Sequence, residues 1–465
     1  MTPVTGQPWV AAHRLPPLPP AGGGGLATSL EGLWQDDQLA GWVGIQGEAG
    51  HDNRKQRVKL AEEILQGYRD TWCHDILWPL AHGWFRPDGP SDLNDNARKA
   101  FGNYRQANQE LALALAEAIG KASRAPVVQI HDYQLMLAPA LLRRLRPDAR
   151  IIHFLHVPVP DPGAWRWLPP DIATSLRLGL LGADLLAVQT AEDVERMRIL
   201  LGGKPTDPKD MICIGRRSVR IEPHPVPIDP FRLERRVRMS HGTGRNLELD
   251  QLWPDLGARI LLVGRTDPSK NLGRSLDAIE RLLVMEPSLL GRLSVLCLAP
   301  ESRMSSPTYM NYRQMLQDKV ETLNSRWRRQ GRPLVTALWE DDRDRALLAL
   351  EAYDALLVAP LADGMNLVAK EGALLNRRNG VLLASQHMGS WEQLSPDCLD
   401  IHPLDSDGMA KGLSRALAMP TDERRRRHEA MRCRMLREDP AAWLDAQLKA
   451  LGPPHELRSP MSRVA

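Results

Sequence analysis

The sequence predicts an α/β protein made of two halves, each an open parallel sheet with helices, and three observations point there. Runs such as Ile260-Leu-Leu-Val263 and Ala355-Leu-Leu-Val-Ala-Pro-Leu361 are nearly continuous apolar sequence, the pattern of a parallel strand covered on both faces. Each gives way to a polar loop and then to a helical period. That order places the loop at the strand's carboxyl end, where open α/β sheets bind ligands. The length, 465 residues, is long for one domain and comfortable for two.

In chain order, the front half offers strands near residues 8–12, 127–131, 151–155 and 184–189. After Trp9-Val-Ala-Ala-His-Arg14, a proline-rich connection leads into Ala21-Gly-Gly-Gly-Gly-Leu-Ala27. Glycines let backbone approach a ligand closely and adopt positive φ. Four glycines beside prolines also fit a flexible linker; the helical pattern of Leu26 to Leu33 that follows favours a ligand-covering loop. Further on, Val127-Val-Gln-Ile-His131 and Ile151-Ile-His-Phe-Leu155 enclose the helix-compatible stretch Leu135 to Leu145. This strand, helix, strand unit carries polar tips, Asp132 and His156, that can face one crevice. His153, inside its strand, reads as a satisfied core histidine.

The halves are expected to divide near residues 232–257, where Glu234 to Arg238 and His241-Gly-Thr-Gly-Arg245 are polar and break the apolar periodicity. The expected units are 1–235 and 236–440, followed by an amphipathic helical pattern from Ala441 to Leu451 and a loose tail after Gly452. Rear strands are expected near 259–263, 293–298, 355–359 and 380–385.

Two rear loops carry the chemistry. Arg265 and Lys270 lie five residues apart in Arg-Thr-Asp-Pro-Ser-Lys-Asn271. Two cations at a strand's carboxyl end can hold a pyrophosphate and stabilise its growing charge as a sugar leaves; an ion pair with Asp267 is the structural alternative. The segment Ala362-Asp-Gly-Met-Asn-Leu-Val-Ala-Lys-Glu371 offers backbone N–H groups and a helix N-terminus to an anion. Asp363 can accept hydrogen bonds from ligand hydroxyls, and Glu371 is spaced to reach a second part of the same ligand. Taken alone, these letters also fit a plain turn and a solvated helix residue. Together they suit a sugar joined to a diphosphate.

Composition removes other classes. The net charge of +3 is small for this size, so a general nucleic-acid surface is not indicated. Arg424 to Arg427 reads as a solvated helix face. Cys73, Cys213, Cys297, Cys398 and Cys433 show neither paired metal spacing nor a dense disulfide framework. There is no apolar signal core and no run near the roughly 20 apolar residues of a spanning helix. A soluble, cytoplasmic protein without metal is expected.

With these motifs laid out, the chain resembles the retaining glycosyltransferases of family 20, the trehalose-6-phosphate synthase family. Gly24-Gly-Leu-Ala27, Leu77-Trp-Pro79, His131-Asp-Tyr133, Phe154-Leu-His-Val-Pro158, Leu185 to Thr190, Arg265 to Lys270 and Asp363 to Glu371 occur in the family's order. The resemblance implies a GT-B fold, two Rossmann-like domains facing a deep cleft, with the last helix packed back across the first domain.

By position, it implies that Gly25, Arg265, Lys270, Leu367 and Glu371 contact the nucleotide and its phosphates. Asp363, Gly364, Met365 and Asn366, with His156, would surround the donor sugar. Arg14, Trp78, Asp132 and Arg303 would lie on the acceptor side, with Arg14 and Arg303 on its phosphate. The implied partners are a nucleotide-sugar donor, itself a co-substrate and no cofactor, and a phosphorylated sugar, polyol or cyclitol acceptor; a homo-oligomer is allowed. The implied reaction is front-face attack by an acceptor hydroxyl without an Asp-x-Asp metal, and without the carboxylate pair about 5 Å apart of retaining glycosidases.

Two departures bear on the substrate. The loop Asp267-Pro-Ser-Lys-Asn271 replaces the family's Asp-Tyr-x-Lys-Gly and is similar to the validoxylamine phosphate synthase branch, a pseudo-glycosyltransferase that joins cyclitols. The family's acceptor-side tyrosine falls at Arg69, beside Tyr68, which offers another phosphate contact or a different acceptor such as glycerol 3-phosphate. The base pocket is expected near Trp339-Glu-Asp-Asp-Arg343, where uracil, guanine and adenine stay open. From another class, a catalytically weak nucleotide-sugar-binding regulator is the alternative.

Overall fold

Short apolar runs become parallel strands here because helices cover both faces, and the two sheets repeat one strand order. A computed structural model describes residues 7–16, 25–48, 52–84, 95–120, 125–204, 211–214, 217–242, 244–329 and 331–452. In the first sheet lie β1 (Trp9–Arg14), β2 (Gly41–Gln46), β3 (Lys55–Arg57), β4 (Val127–His131), β5 (Arg150–Phe154), β6 (Leu185–Val188), β7 (Met211–Ile214) and β8 (Arg217–Pro223). Its order is β3-β2-β1-β4-β5-β6-β8-β7, with only β7 antiparallel. The second sheet holds β9 (Ala258–Val263), β10 (Leu293–Leu298), β11 (Val335–Leu338), β12 (Ala355–Val358), β13 (Val381–Ser385) and β14 (Leu399–Ile401) in the order β11-β10-β9-β12-β13-β14. Both contain the doubly wound 3-2-1-4-5-6 arrangement, whose ligand crevice opens where the order reverses: between β1 and β4, and between β9 and β12.

The eight strands expected from the sequence form within one or two residues of the expected positions. The unexpected ones are mostly peripheral. β3 is a half-exposed polar edge, Lys-Gln-Arg, and β11 is a four-residue edge with only Val335 buried. β2 is buried up to its last residue, Gln46, but carries two glycines in six residues, which dilutes its pattern.

Residues 232–257 are mainly helical, Pro230–His241 and Arg245–Leu252. Leu233, Val237, Leu249 and Trp253 are buried with Leu261 and Leu356 of the second sheet. Residue 235 therefore lies inside a helix, capped by Asp229, whose polar face hid its apolar stripe. We propose that the units divide just ahead of it, at 224–229. The helix Pro440–Ala450 lies against the first sheet: Trp443 Nε1 donates to the His224 carbonyl at 3.0 Å, its ring meets Phe154 edge-on at 5.2 Å, and Gln447 accepts from Gln129 at 3.2 Å.

One buried ion pair ties both passages of the chain between the sheets. Lys370 Nζ donates to the Val226 carbonyl at 2.7 Å and to Glu438 Oε1 at 2.6 Å, and Glu438 Oε2 accepts from the Ile228 amide at 2.7 Å. The Lys370 side chain is fully buried. Lys370→Met strands the Glu438 carboxylate, so we expect a loss of about 3–5 kcal/mol in urea denaturation. A loss below about 1 kcal/mol would show that water or rearrangement satisfies Glu438 instead.

One reading of charged surface changes. Arg424 donates to Asp354 and to the Asn379 carbonyl, and Arg427 to Glu423 and the Pro396 carbonyl, so half of the supposed solvated face is anchored. None of the five cysteines is paired. Among the described residues, no helix is long and apolar enough to cross a membrane.

Candidate active site

The carboxyl ends of β1, β4, β9 and β12 meet at one cleft of about 730 Å³. Arg14, Arg69, Trp78, Asp132, His156, Arg265, Lys270, Arg303, Asp363, Met365, Asn366, Leu367 and Glu371 all line it. Gly364 stands behind that wall. Gly25 opens the helix Gly25–Gln35, while the glycines at 22–24 lie outside the described residues.

From the first sheet, Asp132 follows β4 at φ 75°, a conformation costly for a side-chain-bearing residue. Its Oδ1 accepts from the amides of His156 at 3.1 Å and Val157 at 3.3 Å. Asp132 thus shapes the loop that presents His156. Burial pushes its carboxyl up to about 6, against the backbone N–H groups that hold it down. His156 is half-buried and neutral: desolvation and the neighbouring His131 press its pKa well below 6.5. Its Nε2 meets His131 Nδ1 at 3.0 Å and its ring packs on Phe154 at 4.4 Å. A neutral imidazole so held can exchange hydrogen bonds with a sugar without adding charge.

From the second sheet, Lys270 Nζ reaches Asp363 Oδ2 at 2.5 Å, and Asn366 donates to the same oxygen at 2.9 Å. Burial raises the Asp363 carboxyl, but Lys270 and His82 more than offset this and bring it below its ordinary range. The loop is pinned: Asp363 N donates to the His387 carbonyl, and Gly389 N to the Gly364 carbonyl, each at 2.9 Å. Asn366, at φ 63°, caps the helix Leu367–Leu375 through the Ala369 amide.

A charged cluster joins the two sheets beside these loops. Asp267 is fully buried and pairs not with Arg265 but with Arg303, at 2.6 Å; Arg303 also meets Tyr309 OH at 2.9 Å. The Trp78 ring lies under both arginines, 3.9 Å from Arg303 and 5.5 Å from Arg265, and stacks on His82 at 3.9 Å. Sequence reasoning missed His82, although its Trp-x-x-x-His spacing puts the two rings on one helix face. Arg69 lies in a π-helical turn, Gly67–Leu77, and forks onto Asp70 at 2.6 and 2.7 Å. Tyr68 is core: its hydroxyl meets His13 Nδ1 at 3.0 Å.

At the far end of the cleft, Glu371 is not open. Arg343 grips both its oxygens, Nη2 on Oε1 at 2.5 Å and Nη1 on Oε2 at 2.8 Å. Arg343 belonged to the expected base-pocket segment, yet a contact 28 residues away leaves no local signal. Among the described residues, no cluster of three or more potential ligands could hold a metal ion.

Buried histidines give the molecule an acid liability. Burial presses His13, His131 and His153 down to about 3, and His74 and His82 to about 4. His153 differs from its expected satisfied state, since among the described residues neither ring nitrogen has a hydrogen-bond partner. The unfolded imidazole titrates near 6.5, so each contributes stability above that pH and loses it as pH falls, by up to about 1.4 kcal/mol per pH unit. Asp132 and Asp193, both raised to about 6, act oppositely, binding protons in the native state as the pH falls. Five histidines outweigh two carboxyls. We therefore expect unfolding free energy to drop between pH 7 and pH 5 in urea titrations; equal values would mean that water enters the histidine sites.

The fold and cleft, two facing doubly wound units with polar clusters at both switch points, define the GT-B class. The chain belongs to glycosyltransferase family 20, whose profile matches residues 24–452. It is 29% identical over 426 residues to α,α-trehalose-phosphate synthase [UDP-forming] A of Dictyostelium discoideum, covering 88% of this chain and 56% of that protein. The chain thus spans a little over half of that relative's length. It is 30% identical over 454 residues to trehalose-6-phosphate synthase of Mycobacterium marinum, covering 92% and 88% of the two chains. A crystal structure of a UDP-forming α,α-trehalose-phosphate synthase from Burkholderia xenovorans, in complex with glucose-6-phosphate, superposes with a TM-score of 0.85 at 26% identity, covering 96% of this chain and 100% of that one.

Proposed function

We propose that this chain transfers glucose, with retention, from UDP-glucose to glucose 6-phosphate, releasing UDP and trehalose 6-phosphate. The observation that carries the reading is the placement of Lys270 and Asp363 at the second switch point, on the same cleft as Asp132 at the first and His156, which follows the adjacent strand β5. The names of the relatives supply the donor and acceptor, and this cleft has suitable groups for both.

In this reading Arg265 and Lys270 take the diphosphate, and Lys270 turns from Asp363 to do so. Their charge counters that developing on the departing phosphate. Asp363, freed of its cation, and the neutral His156 orient the hydroxyls of the transferred sugar. Arg14 and the outer face of Arg303 receive the acceptor's phosphate, with Arg69 as a further cation on that side. Glu371 binds hydroxyls of the nucleotide, which are those of its ribose. The acceptor hydroxyl attacks from the side that the phosphate leaves, and that phosphate accepts its proton. Holding both substrates in this geometry removes most of the entropic barrier.

The test is incubation with UDP-glucose and glucose 6-phosphate, with products resolved by mass spectrometry and the linkage by NMR. A phosphorylated, non-reducing α,α-linked disaccharide formed in step with UDP is expected. UDP release without that product, or no turnover at saturating substrates, would overturn the reading.

A further inference from the structure

The grip of Arg343 on Glu371 is the feature that the proposed reaction does not use. Arg343 is the first residue of the helix Arg343–Glu351, and Glu371 lies in the helix Leu367–Leu375 packed against it; both residues line the cleft. The Glu371 side chain is 2% exposed and that of Arg343 19%, so the guanidinium is the part facing the cleft. Two parallel N–H donors on two carboxylate oxygens form the forked arrangement that arginine favours. A ribose cis-diol presents a similar pair of donors and would seek the same lone pairs. The carboxylate keeps other lone pairs, but its side chain is enclosed, so a diol can reach it only from the side that the guanidinium occupies. A released guanidinium has other carboxylates to go to, since Asp341 and Asp344 also act on it electrostatically and Asp341 is exposed at the cleft.

We propose that Arg343 is an intramolecular competitor for the donor: it holds Glu371 in place of the ribose diol of a ribonucleoside diphosphate sugar, and must release it before that donor binds fully. The inference rests on Glu371 being a hydroxyl-binding carboxylate, as proposed above. Its consequence is a donor affinity set by the fraction of molecules in which the pair is open. An apparent dissociation constant is the intrinsic one divided by that fraction. Arg343 is thereby a residue that tunes donor affinity without taking part in the transfer.

The experiment is calorimetric titration of the full chain with UDP and with 2′,3′-dideoxy-UDP, using wild type, Arg343→Met, Arg343→Lys and Glu371→Gln. Arg343→Met is expected to bind UDP about tenfold more tightly, the gain if the pair is open one time in ten, and to bind the dideoxy nucleotide as wild type does. Arg343→Lys, which keeps a cation but not the fork, should fall between, and it decides the matter alone if Arg343→Met does not fold. UDP binding that is unchanged or weaker in the folded variants overturns the competitor. If instead Glu371→Gln and loss of the two hydroxyls each leave binding unchanged, the hydroxyl-binding role of Glu371 fails, and the competitor falls with it.

Discussion

Gly364→Ala is expected to lower kcat by about two orders of magnitude or more, because catalytic alignment tolerates displacements of only about 1 Å. A Cβ at residue 364 would lie 1.8 Å from the His156 carbonyl oxygen and 2.9 Å from its carbon. Both obstacles are backbone, so no rotamer relieves them. Neither loop yields easily: the His156 and Val157 amides are held by Asp132, and Gly364 is held through the Gly389 amide. The methyl must therefore drive Asp363 away from His156, across the space where the transferred sugar is proposed to sit. Measured kcat within twofold of wild type, with an unchanged melting temperature, would show that the loops part without cost to the reaction.

Removing either phosphate cation is the second large effect. Arg265→Ala and Lys270→Ala are each expected to reduce kcat by about 10²- to 10³-fold, the usual cost of losing one preorganised charge-stabilising donor. Stability should change less. Lys270 contacts Asp363, which keeps its bond from Asn366, and Arg265 contacts the face of Trp78, which still has Arg303 at 3.9 Å and His82 against it. Steady-state kinetics with UDP-glucose and glucose 6-phosphate, beside thermal melting, separates the two effects. Near-normal kcat in both variants would remove the diphosphate from this part of the cleft.

Most of the site was legible because it sits where strand periodicity stops. Asp132, Arg265, Lys270 and Asp363 each follow an apolar run by a few residues, and a run covered on both faces has its ligand-bearing loop at its carboxyl end. The pairing among these groups was not legible. An ion pair of Asp267 with the cations of its own loop was the structural alternative, yet Asp267 bonds Arg303, 36 residues on, because Arg303 follows β10 and the parallel register of β9 and β10 brings the two loops together. The π-helical turn that carries Arg69 was equally hidden, as its hydrogen bonds depend on how Tyr68 and Trp72 are buried rather than on an apolar period of their own.

By itself, the sequence determined the two α/β halves, the ends of their strands and the residue types offered to a ligand, since local pattern and helix or strand period suffice for these. Which charges are already engaged emerges from the folded chain alone: Lys270 by Asp363, Arg303 by Asp267, Glu371 by Arg343 and Lys370 by Glu438. Each pair joins residues that the two doubly wound topologies bring together from 28 to 93 positions apart. An ion pair over such a separation depends on three-dimensional placement and on burial from water, and neither leaves a mark on the neighbouring letters.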